Sequence, residues 1–345
     1  MMNRLESLLK AAFYQNASDI HLTVGTPPVF RIHGDLLPHG EEELHPVDTE
    51  EMARSVLTEA LWEEFRTKRE MDLSHGIAGV SRFRMNIFYQ RGCISLAIRI
   101  VPTDIPSIDQ LDLPDVLKDI AARTQGLVLV TGPTGSGKST TLAAMIDYMN
   151  KTMNKHIITL EDPIEYLHSH GKCIIDQREV GFDTINFQNG LRACLRQDPD
   201  VILVGEMRDL ETISTAITAA ETGHLVLGTL HTTDASSTMD RIIDVFPSHQ
   251  KGQIRIQLAN VLQAIVSQRL FQTANRKGRV AATEILINTP AVKNLIRNEK
   301  MHQIPNTMQT ARDQGMHTMT MDIKKLVNNG VITQEHALPY LRERG

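Results

Sequence analysis

The chain has 345 residues, 41% of them apolar, and a formal net charge of −5 at neutral pH. That length allows two or three domains with proper cores, and the acidic balance argues against a protein whose main task is to neutralise nucleic-acid phosphates. The three cysteines form no CxxC pair and no apolar run approaches about 18 residues, so we expect a cytoplasmic chain without a disulfide framework, a four-cysteine zinc site or a direct membrane span.

Residues 1–101 read as an α+β domain. Residues 3–15 have apolar side chains at helical spacing, and the segments DIHLTV and VFRIHG are separated by the turn signal GTPP. They predict one helix and two strands. Residues 48–66 predict one further helix. The segments SRFRMNIFYQ and CISLAIRIV both alternate, which predicts an antiparallel pair of strands that turns at residues 90–92.

A proline-rich segment, VPTDIPSIDQLDLP, predicts a linker over residues 102–114, because proline continues neither a helix nor a central strand. Strands and helices alternate over residues 115–345, which is typical of an α/β domain with a parallel sheet. Residues 250–270 predict one long helix, and VAATEILI predicts a short strand after it. Apolar runs of the kind found in strands buried on both faces occur at Leu127–Val130, Ile157–Leu160, Val201–Val204 and Leu225–Leu230.

A glycine-rich loop, GPTGSGKST, lies between the first of these runs and a helical segment. It matches the pattern G-x-x-x-x-G-K-[ST], in which glycines let backbone N–H groups converge on phosphate oxygens at a helix N-terminus. Lys138 is predicted to reach the β- and γ-phosphates of a nucleotide, and Ser139 to hold Mg²⁺. The predicted nucleotide-binding residues of the loop are Gly132, Pro133, Thr134, Gly135, Ser136, Gly137, Lys138, Ser139 and Thr140.

Hydrolysis of a nucleotide also needs a carboxylate near Mg²⁺ and a group that orients water. Glu206 follows the apolar run VILV, and Glu161 follows IITL, with Glu165 one turn further on. The carboxyl ends of strands face the ligand crevice in an open α/β sheet. These glutamates therefore predict a catalytic role, although each could instead be a polar residue that merely ends a strand.

Two histidines flank the strand LVLGTL. His224 precedes it and His231 follows it, with Thr229 at the same carboxyl end. His231 is a candidate sensor of the γ-phosphate, and a structural hydrogen-bonding role is the alternative. The segment HSHGKC, at residues 168–173, has two histidines and one cysteine, but no further ligand pair has a spacing suited to a metal.

Residues 82–91 alternate strictly, so Arg82 and Arg84 lie on the face opposite to the apolar side chains. Arg99 lies on the less apolar face of the next strand. A solvated basic face explains this pattern. The alternative is that these arginines meet a phosphate bound elsewhere.

Taken together, GPTGSGKST, TLEDPIE, DPDVILVGEMRD and ETGHLVLGTLHT resemble the Walker A, Asp-box, Walker B and His-box motifs of the secretion-type hexameric ATPases. ASDIHL and SRFRMNIFYQRG near the start, and AVKNLIR near the end, resemble the PilT branch, the type IV pilus retraction ATPases. The tail motif departs from the family's usual A-I-R-N-L-I-R at Val292 and Lys293. The changes conserve charge and bulk, so the motif is interpreted as retained, although loss of arginine at 293 could weaken bidentate pairing. The four-cysteine zinc module usual in extension and type II secretion ATPases is excluded by three isolated cysteines.

The resemblance implies a PAS-like α+β domain at residues 1–101, a linker at 102–114 and a RecA-like P-loop core with C-terminal helices at 115–345. It assigns Glu206 as the Walker B catalytic carboxylate, which holds Mg²⁺ together with Ser139. Its other catalytic and nucleotide-binding assignments are Glu161 and Glu165 in the Asp box, His224 and His231 in the His box, and Arg82, Arg84 and Arg99 at domain interfaces.

The function so implied is that of a homohexameric Mg-ATPase that uses ATP to drive type IV pilus retraction. Its implied partner is an inner-membrane platform protein at the pilus base, with a second retraction ATPase as a further candidate and no nucleic acid. The alternatives are an accessory PilU-like retraction ATPase, another type II/IV secretion-type ATPase, a RecA-like nucleic-acid motor and a nucleotide-regulated scaffold with little turnover.

Overall fold

The computed structural model describes residues 4–342 of the chain. The chain divides into two compact units, Met1–Asp104 and Ile105–Gly345. The helices are α1 (Arg4–Tyr14), α2 (Pro46–Arg54), α3 (Glu59–Lys68), α4 (Val116–Ala121), α5 (Lys138–Thr152), α6 (Phe187–Cys194), α7 (Leu210–Glu221), α8 (Ala235–Asp244), α9 (Lys251–Val261), α10 (Pro290–Arg297), α11 (Ile304–Thr310), α12 (Met319–Asn328) and α13 (Gln334–Arg342). The strands are β1 (Ala17–Leu22), β2 (Val29–Ile32), β3 (Asp35–Pro38), β4 (Glu70–Ile77), β5 (Ser81–Gln90), β6 (Cys93–Ile100), β7 (Gly126–Thr131), β8 (His156–Glu161), β9 (Ile174–Glu179), β10 (Val201–Val204), β11 (Leu225–Leu230), β12 (Leu262–Gln272) and β13 (Arg279–Ile287).

The first unit is built on an antiparallel sheet with the strand order β3-β2-β1-β6-β5-β4. The predicted pairing of β5 with β6 is confirmed, and Arg84 lies directly opposite Arg99 in its register. The apolar side chains of β5 face the core, where Phe83 and Ile87 are fully buried. The alternation seen in the sequence therefore separates a buried apolar face from a face that carries arginines.

The single helix predicted over residues 48–66 is wrong. The segment forms α2 and α3, separated by residues 55–58, and the side chain of Thr58 accepts a hydrogen bond from the backbone N–H of Leu61 at 3.4 Å. Threonine is a favoured residue at this capping position because it satisfies a free N–H group of the first turn. The apolar side chains on both sides of the break, Met52 and Phe65, are buried in one core, so their periodicity concealed the break.

The second unit is built on a seven-stranded sheet with the order β13-β12-β7-β11-β10-β8-β9. Its strands pair in parallel from β12 to β9, whereas β13 is antiparallel to β12. Every residue of β7, β10 and β11 is buried. The predicted strands of an α/β domain are thus confirmed, and their apolar runs reflect burial on both faces of the sheet.

The helix predicted over residues 250–270 is also wrong in its second half. Helix α9 ends at Val261, and β12 begins at the next residue. Leu262 and Ile265 continue the helical spacing set by Leu258, but they lie in a strand between β7 and β13. A strand buried on both faces has no alternating pattern, so the sequence could not separate it from a buried helix.

Among residues 4–342, no helix is both long enough and apolar enough to cross a lipid bilayer.

Candidate active site

The glycine-rich loop joins β7 to the N-terminus of α5. Gly132 has a φ of 146°, and a Cβ atom there would lie 2.3 Å from the backbone oxygen of Gln268, so only glycine fits. Gly137 has a φ of 87° and caps α5, in the left-handed region that favours glycine. The loop is therefore followed directly by the N-terminus of α5, whose free N–H groups attract anions.

The side chain of Lys138 folds back over the loop. Its Nζ atom donates hydrogen bonds to the backbone oxygens of Gly132 at 2.9 Å and Pro133 at 3.2 Å. Burial lowers the pKa of Lys138, and the carboxylates of Glu206 and Glu165 act in the opposite direction. The lysine therefore lies within the electrostatic reach of both acids, and a phosphate group beside it would stabilise the ammonium ion further.

The loop forms one wall of a cavity of about 410 Å³. The opposite wall comes from the segments that follow β8, β10 and β11, so the carboxyl ends of three parallel strands meet there. The predicted residues that line the cavity are Thr134, Gly135, Ser136, Gly137, Lys138, Ser139, Thr140, Glu161, Glu165, Glu206 and His231. Gly132 and Pro133 contribute through their backbone oxygens, which hold Lys138.

Glu161 lines the cavity at the carboxyl end of β8. It accepts hydrogen bonds from Thr159 Oγ1 at 2.6 Å and from Gln177 Nε2 at 3.2 Å. Burial raises the pKa of Glu161, and the two hydrogen bonds offset only part of that effect. A carboxylate with a raised pKa is a better proton acceptor near neutral pH than an ordinary exposed one.

Glu206 is held differently. Its Oε1 atom accepts a hydrogen bond from Arg208 Nε and lies 2.9 Å from His231 Nε2. The hydroxyl of Thr229 donates to the backbone oxygen of Gly205 at 2.5 Å. The carboxyl ends of β10 and β11 are therefore joined by side chains as well as by the sheet.

His224 is not part of this cavity. It precedes β11, and its Nδ1 atom lies 3.0 Å from the backbone oxygen of Ala219. A strand advances about 3.3 Å per residue, so β11 separates His224 from His231 by roughly 20 Å. The nucleotide-binding role predicted for His224 therefore has no support within one chain, since the two histidines lie at opposite ends of the same strand.

The arginines predicted to act at domain interfaces lie in the first unit. Arg99 Nε donates to Asp19 Oδ1 at 3.0 Å, and its side chain remains 67% exposed. Asp19, Arg99 and Arg84 are successive cross-strand neighbours on β1, β6 and β5. Arg82 lies on β5, opposite Gly76 of β4. A catalytic role for the three arginines stays a prediction.

Sequence reasoning missed the side chains that brace the cavity. Tyr166 Oη lies 2.9 Å from Thr140 Oγ1, and Gln177 Nε2 donates to the backbone oxygen of Tyr166 at 2.8 Å. Gln177 belongs to β9, an edge strand whose polar sequence IIDQRE gave no strand signal. Arg279, the first residue of β13, also lines the cavity. Only the pairing of distant strands brings these residues to the loop.

His168 lines the cavity as a neutral side chain. Burial lowers its pKa to about 4, while the nearby charge of Asp147 acts in the opposite direction. The backbone N–H of His168 donates to Gln177 Oε1 at 2.8 Å. The residue is therefore fixed by the same glutamine that contacts Glu161.

The oxygen donors of the cavity fit a magnesium ion that arrives with phosphate groups. Ser139 supplies a hydroxyl, and Glu206 supplies a carboxylate. Mg²⁺ usually takes only one or two protein carboxylates and completes its shell with phosphates and water. No three acidic, histidine or cysteine side chains within residues 4–342 form a group that could hold a metal ion, so the chain offers part of a coordination shell.

Comparison with known proteins agrees with the resemblance read from the sequence motifs. The family model for the Type II/IV secretion system protein matches residues 1–339. The type IV pilus retractation ATPase PilT of Pseudomonas aeruginosa is 46% identical over 333 residues, which cover 96% of each chain. The type IV pilus ATPase PilU of the same organism is 42% identical over 335 residues, which cover 97% of this chain and 88% of PilU.

A solved structure gives the same result. The crystal structure of the pilus retraction motor PilT with bound ADP superimposes with a TM-score of 0.87 at 50% identity, over 98% of this chain and 97% of that one. An α/β architecture, a glycine-rich loop and two strand-end glutamates, Glu161 and Glu206, thus occur in a chain that aligns with its relatives almost from end to end. The protein belongs to the Type II/IV secretion system protein family.

Proposed function

We propose that this protein is a Mg-dependent ATPase that powers retraction of a type IV pilus. The observation that carries the proposal is the single cavity that holds Lys138 together with Glu161, Glu165 and Glu206. A cation beside an anion-binding loop suits the phosphates of a nucleotide, and the carboxylates suit the activation of water. The 46% identity to PilT over nearly the whole chain supports the choice of substrate and process.

The residues of the cavity are proposed to have different tasks in ATP hydrolysis. Lys138 and the N–H groups of residues 134–140 bind the β- and γ-phosphates. Ser139 and Glu206 would hold Mg²⁺, which would supply positive charge beside the phosphates. Glu206 also orients the attacking water, with His231 fixing its carboxylate at 2.9 Å. Glu161, whose pKa burial raises, is the second candidate to accept a proton, and Glu165 lies beside it.

The working form is proposed to be a homohexamer. Residues 1–101 would be a PAS-like domain and residues 115–345 a RecA-like core, joined by a linker at 102–114. Arg82, Arg84 and Arg99 would reach the nucleotide of a neighbouring subunit, so that ATP turnover changes how the domains are arranged. The exposed guanidinium of Arg99 beside Arg84 supports this role, because an isolated sheet gains nothing from two cations placed directly opposite each other.

The motor is proposed to act from the cytoplasmic face of the inner membrane, on a platform protein at the pilus base. A second retraction ATPase is a further candidate partner. The accessory role of PilU remains the alternative, supported by the 42% identity to that protein. A nucleic-acid motor would instead show ATPase activity stimulated by DNA, which the net charge of −5 does not favour.

Deletion of the gene in its host, followed by imaging of the pili, tests the proposal. A retraction motor predicts long or abundant pili that do not retract, and an extension motor predicts their absence. Pili that retract normally would favour an accessory role. Complementation with wild type and with Lys138→Ala separates the motor activity from a role as a scaffold, because only the wild-type chain should restore retraction.

A further inference from the structure

A buried glutamine on β12, Gln268, forms a hydrogen bond to the glycine-rich loop on the side of the loop that faces away from the cavity. Gln268 lies on β12 and is 1% exposed. Its Nε2 atom donates a hydrogen bond to the backbone oxygen of Ser136 at 2.6 Å, and its Oε1 atom accepts one from Thr141 Oγ1 at 2.8 Å. A carbonyl oxygen can only accept, so the amide must turn its nitrogen toward Ser136. Both the nitrogen and the oxygen of the Gln268 amide therefore have a hydrogen-bond partner.

The backbone of the same residue also contacts the loop. A Cβ atom at Gly132 would lie 2.3 Å from the backbone oxygen of Gln268, so the loop's first glycine is pressed against β12. One residue before Gln268 on β12, Ser267 Oγ lies 2.8 Å from Thr131 Oγ1 at the end of β7. Gln268 thus meets the loop at its beginning, at Ser136 and, through Thr141, at the first turn of α5.

The bond to Ser136 has a consequence for phosphate binding. In a trans peptide the C=O of one residue and the N–H of the next point in opposite directions. Gln268 holds the Ser136 carbonyl toward β12, so the N–H of Gly137 is turned away from that strand. Gly137 lines the cavity, whereas Gln268 does not. The glutamine therefore acts through the peptide that it orients and has no contact with the cavity itself.

We propose that Gln268 is a positioning residue that fixes the Ser136–Gly137 peptide, so that the loop has its phosphate-binding shape before nucleotide arrives. The proposal rests on the proposed binding of ATP. Without the glutamine amide, the Ser136 carbonyl loses its buried partner and the peptide is free to rotate. Nucleotide must then restore the loop's shape as it binds, which weakens binding.

Gln268→Met is the main test, because it keeps the length and the volume of the side chain and removes both hydrogen bonds. A buried carbonyl left unpaired costs about 1–3 kcal/mol, so we expect the Kd for ADP and the KM for ATP to rise by about 5- to 150-fold. The value of kcat should change much less, since the proposed catalytic carboxylates are untouched. The measurements are calorimetric titration with ADP and steady-state hydrolysis, both on the folded full-length chain.

Gln268→Glu supplies a readout that lost packing would not give. A protonated carboxyl can donate to the Ser136 oxygen as the amide does, whereas a carboxylate cannot. Burial raises the pKa of such a carboxyl. The Kd of this variant for ADP, relative to wild type at the same pH, should therefore improve as the pH falls from about 9 to 6, and that of Gln268→Met should not.

A matched control is available at the other end of β12. Asn288 Nδ2 donates to the backbone oxygens of Ala259 at 2.9 Å and Leu262 at 2.6 Å, so Asn288→Leu also removes amide–carbonyl bonds from this strand. It should lower the melting temperature and leave the Kd for ADP unchanged. The inference is wrong if folded Gln268→Met and Gln268→Glu bind ADP as wild type does at every pH, or if they lose only stability. Failure of the wild-type chain to bind ADP would instead overturn the proposed function.

Discussion

His231 Nε2 lies 2.9 Å from Glu206 Oε1, and this contact joins the carboxyl ends of β11 and β10 inside the cavity. The two strands are parallel neighbours, with Val204 opposite Gly228 in their register. Residues that follow them by one or two positions therefore emerge side by side. The role of His231 as a sensor of the γ-phosphate stays a prediction, and this contact places the histidine beside the candidate catalytic carboxylate.

Glu206→Gln tests the catalytic role of this pair. The substitution keeps the shape of the side chain and removes its charge and basicity. We expect ATP hydrolysis to fall by about 10²–10⁴-fold, the usual size of a general-base contribution, while ATP still binds. The measurements are the rate of ATP hydrolysis and the affinity for ATP, both on the same preparation. Loss of binding together with hydrolysis would mean that Glu206 serves mainly the metal ion, and Glu161 or Glu165 would then be the better candidate for orienting water.

Lys138→Ala should reduce ATP hydrolysis to background without unfolding the chain, because it removes the cation that is proposed to bind the β- and γ-phosphates. Lys151→Ala is the matched control. Lys151 lies at the other end of α5, 65% exposed, and pairs with Asp147 at 2.6 Å. The control should hydrolyse ATP at the wild-type rate. Near-normal turnover by a folded Lys138→Ala chain would contradict the assignment of the loop.

Gln177→Leu should move the acid limb of the pH–rate profile to higher pH if Glu161 accepts a proton during hydrolysis. The amide of Gln177 donates to the Glu161 carboxylate at 3.2 Å and so favours its charged form. Removal of that bond raises the pKa of Glu161 further, and the basic form then appears only at higher pH. The profile of kcat/KM measures this shift. An unchanged acid limb in a folded, active variant would exclude Glu161 as the titrating base.

Arg99→Ala tests the proposed action of one subunit on another. We expect turnover to fall while the affinity of the dilute chain for ATP is unchanged, since the arginine would act only in an assembled ring. Arg31→Ala is the control, because Arg31 also lies near Asp19, at 3.8 Å from its carboxylate. An excess of Lys138→Ala added to a fixed amount of wild type should inhibit more than in proportion. Activity that does not depend on protein concentration or on such mixing would mean that one chain is catalytically complete.

His168 should make the chain less stable in acid. Its pKa of about 4 lies below the usual 6.5 because burial disfavours the charged ring. The neutral form of His168 contributes fully to the free energy of unfolding above pH 6.5. This contribution, about 3 kcal/mol, is lost as the pH falls toward 4. Unfolding by urea at pH 7 and at pH 4.5 measures it, with His168→Gln for comparison. An equal loss of unfolding free energy in both chains would show that other groups cause the acid sensitivity.

Features that depend on a local pattern of residues were predictable from the sequence alone. Glycine spacing identified the loop around Lys138, and apolar runs that end in Glu161 and Glu206 identified the strands beside it. Alternation over residues 82–90 separated the face of Arg84 from the core. These features are readable because an apolar run or an alternating segment reports its own burial, and a tight turn reports its own backbone geometry.

Features that depend on contacts between residues far apart in the chain appear only in the folded protein. Gln268 lies 132 residues after Ser136, and only the parallel pairing of β12 with β7 brings them together. The same pairing made residues 262–270 a strand, against a helical spacing that continued from α9. His224 and His231 both flank β11 in the sequence. Because they lie at opposite ends of this strand, only His231 reaches the cavity, and His224 lies at the other end of β11. Hydrogen bonds and burial on both faces of a sheet are set by its neighbouring strands, and that information is absent from any single stretch of sequence.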